Sequence, residues 1–276
     1  MKIAVIGAGT MGCSLAFVLA KKGYDANLVD INDTRLKEAE KNILEKDKFS
    51  TLLSLGGKER DLANRIRYST NLESVKDSDL IIENITEDNR LKVNLYKKLN
   101  KIVNTQIVIS NSSCISIDLI SMCMDKPENI IGIHFMNPVE FIDSVEVIKG
   151  TYTSKDTIEY IKGFLDKIGK KYVIINNSVG YISNRVSHVF MNEAASLVYE
   201  KIATPEQIDF IFKSCFGHKM GPCETADLIG IDTVVSSLNI LYEYYGDIKY
   251  SASPILKKMV ETNQLGRKNG KGFYQY

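Results

Sequence analysis

The first twelve residues, MKIAVIGAGTMG, leave this chain few folds to choose from. A short apolar run, KIAVI at 2–6, is stopped by glycine. Glycines then recur at Gly7, Gly9 and Gly12, ahead of a helix-compatible pattern over 10–22 in which Met11, Leu15, Val18 and Leu19 can share a face. Strand, tight turn, helix is the economical reading. In such a unit the first glycine permits the turn, the second lets backbone approach a pyrophosphate, the third lets the helix sit against its strand, and the helix N-terminus faces the anion. The spacing alone is a weak signal. Here it follows a strand, opens a helix, and is succeeded by a second strand-like segment, ANLVD at 26–30, that ends in an acid. An acid there accepts hydrogen bonds from a ribose 2′-hydroxyl and repels a 2′-phosphate. Gly7, Gly9, Thr10, Met11, Gly12 and Asp30 therefore predict a site for NAD in preference to NADP.

The same opening has a second face. After Lys2 come eighteen uncharged residues before Lys21 and Lys22, which superficially resembles a signal sequence or a membrane span. Three glycines in six residues, and a second strand in place of a cleavage site, argue for a mature, soluble N-terminus. Composition points the same way: Lys+Arg 35 against Asp+Glu 34 leaves a formal charge of +1, no footprint for nucleic acid or an anionic membrane. The five cysteines form no CxxC pair and no spacing suited to a metal, and their odd number favours free thiols in a reducing cytoplasm.

Along the chain, DTRLKEAEKNILEK at 33–46 reads as a charged amphipathic helix capped by Asp33 or Thr34. DLIIEN (79–84), QIVIS (106–110) and NIIGI (129–133) are buried-strand candidates separated by helical patterns at 88–103 and 116–124. SVEVIKG (144–150), a helix at 154–168 and KYVIIN (171–176) extend the sheet. Beyond Gly180 the texture becomes helical throughout, including one long run from Ala226 to Tyr245. The expected fold is α/β: an N-terminal Rossmann-like wound sheet over 1–178 followed by an all-α C-terminal domain over 179–276.

GIHFMNPVEFIDSVEV at 132–147 carries one of only three histidines. Oxidising an alcohol to a carbonyl needs a base within hydrogen-bond reach of a very weakly acidic hydroxyl. A neutral histidine with a carboxylate on its other ring nitrogen is the usual solution. His134 with Glu146 could supply that pair, at the carboxyl end of a strand where ligands collect on a wound sheet. A loop histidine satisfied by backbone before Pro138 is an equal alternative on this stretch alone. His188 and His218 read as ordinary surface residues.

Behind GAGTMG, the segments NSSC (111–114), GIHFMNPV (132–139), VEV (145–147), GYISNR (180–185), MGPCETADLIGID (220–232) and LGRKNGKGFYQY (265–276) follow in order. Together they resemble the 3-hydroxyacyl-CoA dehydrogenase family over essentially the full length. The resemblance implies NAD-dependent interconversion of a short 3-hydroxyacyl thioester and its 3-oxoacyl form, in a cytoplasmic homodimer built through the helical domain, with a cleft between domains. It also implies roles: His134 as general base, Glu146 orienting it, Ser113 bonded to the reacting oxygen, and Asn184 binding substrate. Asn111, Glu87 and Lys92 would meet the cofactor. Lys41, Lys46, Lys48, Lys58 and Arg60 lie where the family receives the nucleotide end of CoA. Each has a bland alternative. Ser113 could cap a helix starting near Ser116, Asn184 could be an exposed helix residue, and Glu87 with Lys92 could be a solvated pair.

Three departures stand out. Cys114 replaces the second serine of the family's pair, Asn84 stands where small residues are common, and Phe141-Ile142-Asp143-Ser144 replaces V-M-K-L before V-E-V. Asp143 reverses a charge, and an acid beside a phosphate-rich ligand repels it. That leaves a second carrier to consider, an acyl-carrier-protein thioester.

Overall fold

The computed structural model describes residues 1–52 and 62–276, so Lys58 and Arg60 lie outside the described residues. These fall into two compact units, Met1–Ser178 and Val179–Tyr276.

In the first unit the elements run β1 (Lys2–Ile6), α1 (Thr10–Lys21), β2 (Asp25–Val29), α2 (Asp33–Leu52), α3 (Leu62–Arg65), β3 (Ile66–Ser69), β4 (Leu80–Glu83), α4 (Asn89–Leu99), β5 (Ile107–Ser110), α5 (Ile117–Ser121), β6 (Ile130–Phe135), β7 (Ser144–Lys149), α6 (Lys155–Ile168) and β8 (Lys171–Asn176). They form one sheet in the order β3-β2-β1-β4-β5-β6-β7-β8. Neighbouring strands pair in parallel except β6 with β7, which are antiparallel. Strand order turns back at β1, between β2 and β4, and the crevice at the carboxyl ends of those strands is where such a sheet receives a ligand. The N-terminal apolar stretch is thus strand, turn and helix. Among the described residues no helix is long and apolar enough to cross a membrane.

Alternation explains the core. Ile3 and Val5 of β1, Leu80 and Ile82 of β4, and Ile131, Ile133 and Phe135 of β6 share one cluster with α1 (Leu15, Ala16, Leu19) and α6 (Ile161, Phe164, Leu165). Each fully buried Ile or Leu there is worth about 1.5–3 kcal/mol. Helix α1 is buried from Gly12 to Ala20, wider than the single face expected, because α2 and the sheet cover it together.

Three local expectations are corrected. The cap of α2 is Asn32, whose Oδ1 accepts the amides of Thr34 (2.9 Å) and Arg35 (3.3 Å), one residue before the Asp33 or Thr34 expected. Strand β3 was not foreseen, since only Ile66 of its four residues is buried. The run from Ala226 to Tyr245 is broken at Gly230, which takes φ +103° between two helices.

The second unit holds α7 (Ser183–Tyr199), α8 (Pro205–Phe216), α9 (Pro222–Ile229), α10 (Ile231–Tyr245) and α11 (Pro254–Glu261). Its core joins Met191, Ala226, Val234, Leu238 and Leu256. Two buried acids fasten its C-terminal tail. Asp227 accepts the amides of Phe273 and Tyr274 at 2.9 Å each, and Asp209 accepts the Tyr274 hydroxyl at 2.8 Å.

Candidate active site

The antiparallel reversal of β7 sets His134 directly opposite Glu146. Opposed residues of such a pair point to one face, and His134 Nδ1 lies 2.8 Å from Glu146 Oε2, both side chains nearly buried. A carboxylate can only accept, so Nδ1 carries the proton, and in the neutral ring Nε2 presents its lone pair. Ser113 Oγ stands 3.1 Å from that Nε2, so the hydroxyl donates to the ring. Ser113 does not cap α5: Ser116 is the N-cap, without a side-chain bond.

Register also separates the two acids of this stretch. Gly132, His134, Glu146 and Ile148 share the face covered by Ile117 of α5, while Val145 and Val147 join the core beneath α6. Asp143 lies just before β7, outside the paired register. It is exposed, and its charge acts on Lys170, whose ammonium donates to the carbonyls of Val139 (2.5 Å) and Ile142 (2.6 Å). Burial nonetheless holds the Lys170 pKa below its ordinary value.

The loop carrying Ser113 is gathered onto one atom. Glu87 Oε1 accepts from Ser112 Oγ (2.6 Å) and from the amides of Ser113 (2.8 Å), Cys114 (2.7 Å) and Ile115 (3.2 Å). Cys114 keeps this backbone donor, and its buried thiol fills the volume of the missing serine. Glu87 Oε2 is 3.3 Å from Lys92 Nζ, which also reaches Glu83 Oε2 at 3.0 Å. Burial opposes ionisation of Glu87, yet Lys92 and the loop donors hold its carboxyl below the usual range. Burial likewise opposes the charge on Lys92, and the two acids outweigh it, raising its pKa. This corrects one expectation. The pair is not a solvated face, and Lys92, fully buried, holds two carboxylates. Glu83 was missed altogether. Its signal was an acid closing the apolar run LIIE, where burial obliges it to find partners.

At the carboxyl ends of β1 and β2 lies a cavity of about 690 Å³ lined by Gly7, Gly9, Asp30, Asn71, Asn84 and Ile85 among others. The three glycines differ. A Cβ on Gly12 would fall 1.8 Å from the Gly7 carbonyl, and one on Gly7, at φ +103°, would fall 2.6 Å from the Asn84 carbonyl. Gly9 has nothing within 4 Å of that position, so its bareness keeps a cradle open rather than relieving a clash. Thr10 is exposed at the start of α1, with Met11 half-buried behind it. Asp30 Oδ2 accepts the Ala8 amide at 2.8 Å and Oδ1 the Asn32 amide at 3.0 Å, which ties the acid of β2 to the glycine turn and leaves lone pairs on both oxygens. Asn111 accepts the Phe135 amide (3.1 Å) and donates to Asn84 Oδ1 (2.6 Å), so the departure at Asn84 supplies a partner. These residues fit a dinucleotide.

Other expected residues are placed as follows. Lys46 bonds Ser14 Oγ (3.1 Å) and pairs with Glu140, while Lys41 and Lys48 are exposed. Asn184 is half-buried in the first turn of α7, where its carbonyl accepts from His188 Nδ1 at 3.0 Å. His188 is buried, 3% exposed, contrary to the surface setting expected. His218 is exposed, its ring edge-on to Phe190 and tilted against Phe212.

A dinucleotide cradle at the turning point of a wound sheet, with a histidine held in one tautomer by an acid, makes this an NAD-linked dehydrogenase. Comparison with known proteins agrees: residues 2–178 match the 3-hydroxyacyl-CoA dehydrogenase NAD binding domain, and residues 180–276 match the C-terminal domain of the same enzymes. The chain belongs to the 3-hydroxyacyl-CoA dehydrogenase family. The 3-hydroxybutyryl-CoA dehydrogenase of Clostridioides difficile is 38% identical over 282 residues, covering 100% of this chain and 99% of that protein. The Bradyrhizobium diazoefficiens enzyme of that name is 38% identical over 279 residues, covering 100% and 95%. The crystal structure of (S)-3-hydroxybutyryl-CoA dehydrogenase PaaH1 from Ralstonia eutropha matches with TM-score 0.93 at 34% identity, covering 100% and 98%.

Proposed function

We propose that the enzyme interconverts a short (S)-3-hydroxyacyl-CoA, of the 3-hydroxybutyryl type, and its 3-oxoacyl form, with His134 as the base. The observation that carries this reading is the imidazole held between Glu146 and Ser113, one nitrogen protonated and the other turned toward a hydroxyl. The CoA carrier is supported by the substrates in the names of the full-length relatives. It is supported too by Asp143 being exposed and acting on Lys170.

In the oxidation, His134 Nε2 takes the substrate hydroxyl proton, and Glu146 stabilises the imidazolium that forms. The Ser113 hydroxyl, released from the ring as Nε2 is protonated, donates to the substrate oxygen. In the reverse direction His134 returns the proton while this donor stabilises the oxygen as it gains charge. Bound NAD+ supplies the hydride acceptor. Gly7, Gly9, Thr10, Met11 and Gly12 would hold its pyrophosphate, Asp30 its adenosine ribose, and Asn111 with the exposed edge of Glu87 its nicotinamide end.

The helical unit is the proposed homodimer surface, supported by Phe210, Ile211 and Phe216, large apolar side chains exposed on α8. Five free cysteines support a cytoplasmic setting.

The deciding experiment follows NADH oxidation with acetoacetyl-CoA, the same acyl group on a carrier protein, and free acetoacetate. Turnover is expected on the CoA thioester and absent from H134A, which should still bind NADH. Activity confined to the carrier-bound form would overturn the choice of substrate, and near-wild-type turnover by H134A would remove His134 from the mechanism.

A further inference from the structure

Beneath the Ser113 loop lies a polar chain that the proposed chemistry does not itself require. Glu83 and Lys92 are both fully buried. Glu83 Oε2 gathers Lys92 Nζ (3.0 Å), Ser110 Oγ (2.9 Å) and Tyr96 OH (3.4 Å), while Oε1 accepts the Ile85 amide at 2.8 Å. Lys92 then bridges to Glu87, and Glu87 gathers the loop. Buried ion pairs are poor stabilisers, since the desolvation of each charge offsets most of the attraction, and apolar packing of equal volume does as well. Stability alone does not account for the chain.

We propose that Glu83 is a positioning residue for the reaction, acting through Lys92 and Glu87 on the hydroxyl of Ser113. This rests on the reading of Ser113 and His134 given above. Glu83 is fixed at the end of β4 by three uncharged donors, so it anchors the ammonium at a set distance from Glu87. Lys92 occupies Glu87 Oε2, which fixes the plane of that carboxylate and aims Oε1 at the amides of residues 113–115. With the charge at position 83 removed, Lys92 has one acid left. The ammonium is drawn onto Glu87 and competes with those amides, and Ser113 loses its fixed place 3.1 Å from His134. Sub-ångström misplacement at a reacting centre is costly to rate.

The test is a double-mutant cycle on the full-length enzyme with acetoacetyl-CoA and NADH, reading kcat, the KM for NADH and the melting temperature for E83Q, S113A and E83Q/S113A. A group acting through Ser113 loses its effect once the serine is gone. E83Q is expected to lower kcat about tenfold or more in the Ser113 background. Its effect in the S113A background should be within about twofold, with the KM for NADH unchanged. Equal losses in both backgrounds would mark Glu83 as merely structural and overturn the proposal. So would an unchanged kcat, or a loss confined to the KM for NADH. Should E83Q not fold, S110A removes one neutral donor from Glu83 and keeps every charge. A smaller loss of the same background dependence is expected, and an additive loss overturns the proposal equally. Wild-type turnover by S113A alone would instead sink the role of the serine, whatever E83Q does.

Discussion

His134 and Glu146 are direct partners across the antiparallel β6–β7 ladder, with Nδ1 2.8 Å from Oε2. On the proposed mechanism the charge of Glu146, and not only its hydrogen bond, would stabilise the imidazolium. Glu146→Gln keeps an acceptor and loses the charge, and kcat should fall by roughly 10²-fold or more with little change in the KM for NADH. Steady-state kinetics decides it; a kcat within threefold of wild type would leave Glu146 no electrostatic role.

The glycines of the first turn should separate into structural and ligand-facing kinds. Gly9→Ala meets no protein atom, so its melting temperature should match wild type while NADH binding weakens about tenfold or more, some 1.4 kcal/mol. Gly12→Ala drives a methyl into the Gly7 carbonyl and should lower the melting temperature as well. Paired thermal melts and fluorescence titrations with NADH give the contrast. Equal NADH affinity for Gly9→Ala and wild type would argue against a pyrophosphate at that turn.

Asp143→Lys reverses the charge at that position. Because the residue is exposed and acts on Lys170, kcat/KM for acetoacetyl-CoA should change less than about threefold. A rise of tenfold or more would mean that Asp143 does meet the substrate.

The Glu87–Lys92 pair carries a pH signature. Glu87 titrates below its ordinary 4.5 in the folded state, so its contribution is complete above that value and is lost as the pH falls through the folded pKa. Lys92 titrates above its ordinary 10.5, so its contribution is complete below that value and is lost as the pH rises through the folded pKa. Lys92→Met, which strands two acids, should cost about 3–5 kcal/mol at neutral pH. The gap in melting temperature between wild type and Lys92→Met should then narrow above pH 10.5. A gap constant from neutral to strongly alkaline pH would contradict the linkage.

Much of this was legible in the sequence, for physical reasons that can be named. KIAVI, DLIIEN and NIIGI are nearly unbroken apolar runs because their strands are covered on both faces. GAGTMG with Asp30 announced the cradle because the turn tolerates so few residue types. Edge strand β3 left no such trace, having one buried side chain. The network under Ser113 was opaque for a different reason. Lys92 sits in a helix rich in charge, and only tertiary contact with Glu83 turns an ordinary helical lysine into a buried one. His134 with Glu146 was suggestive as a spacing of twelve and became specific once β7 was seen to run back along β6.

That reversal has a consequence for how such an enzyme can change. His134 and Glu146 are joined by the ladder's register, so the segment between them, residues 136–143, is free of the task of aligning them. It can be lengthened, recharged or reshaped while the proton-transfer pair stays in place. Change in Phe141, Ile142 and Asp143 therefore leaves the pairing of His134 with Glu146 intact.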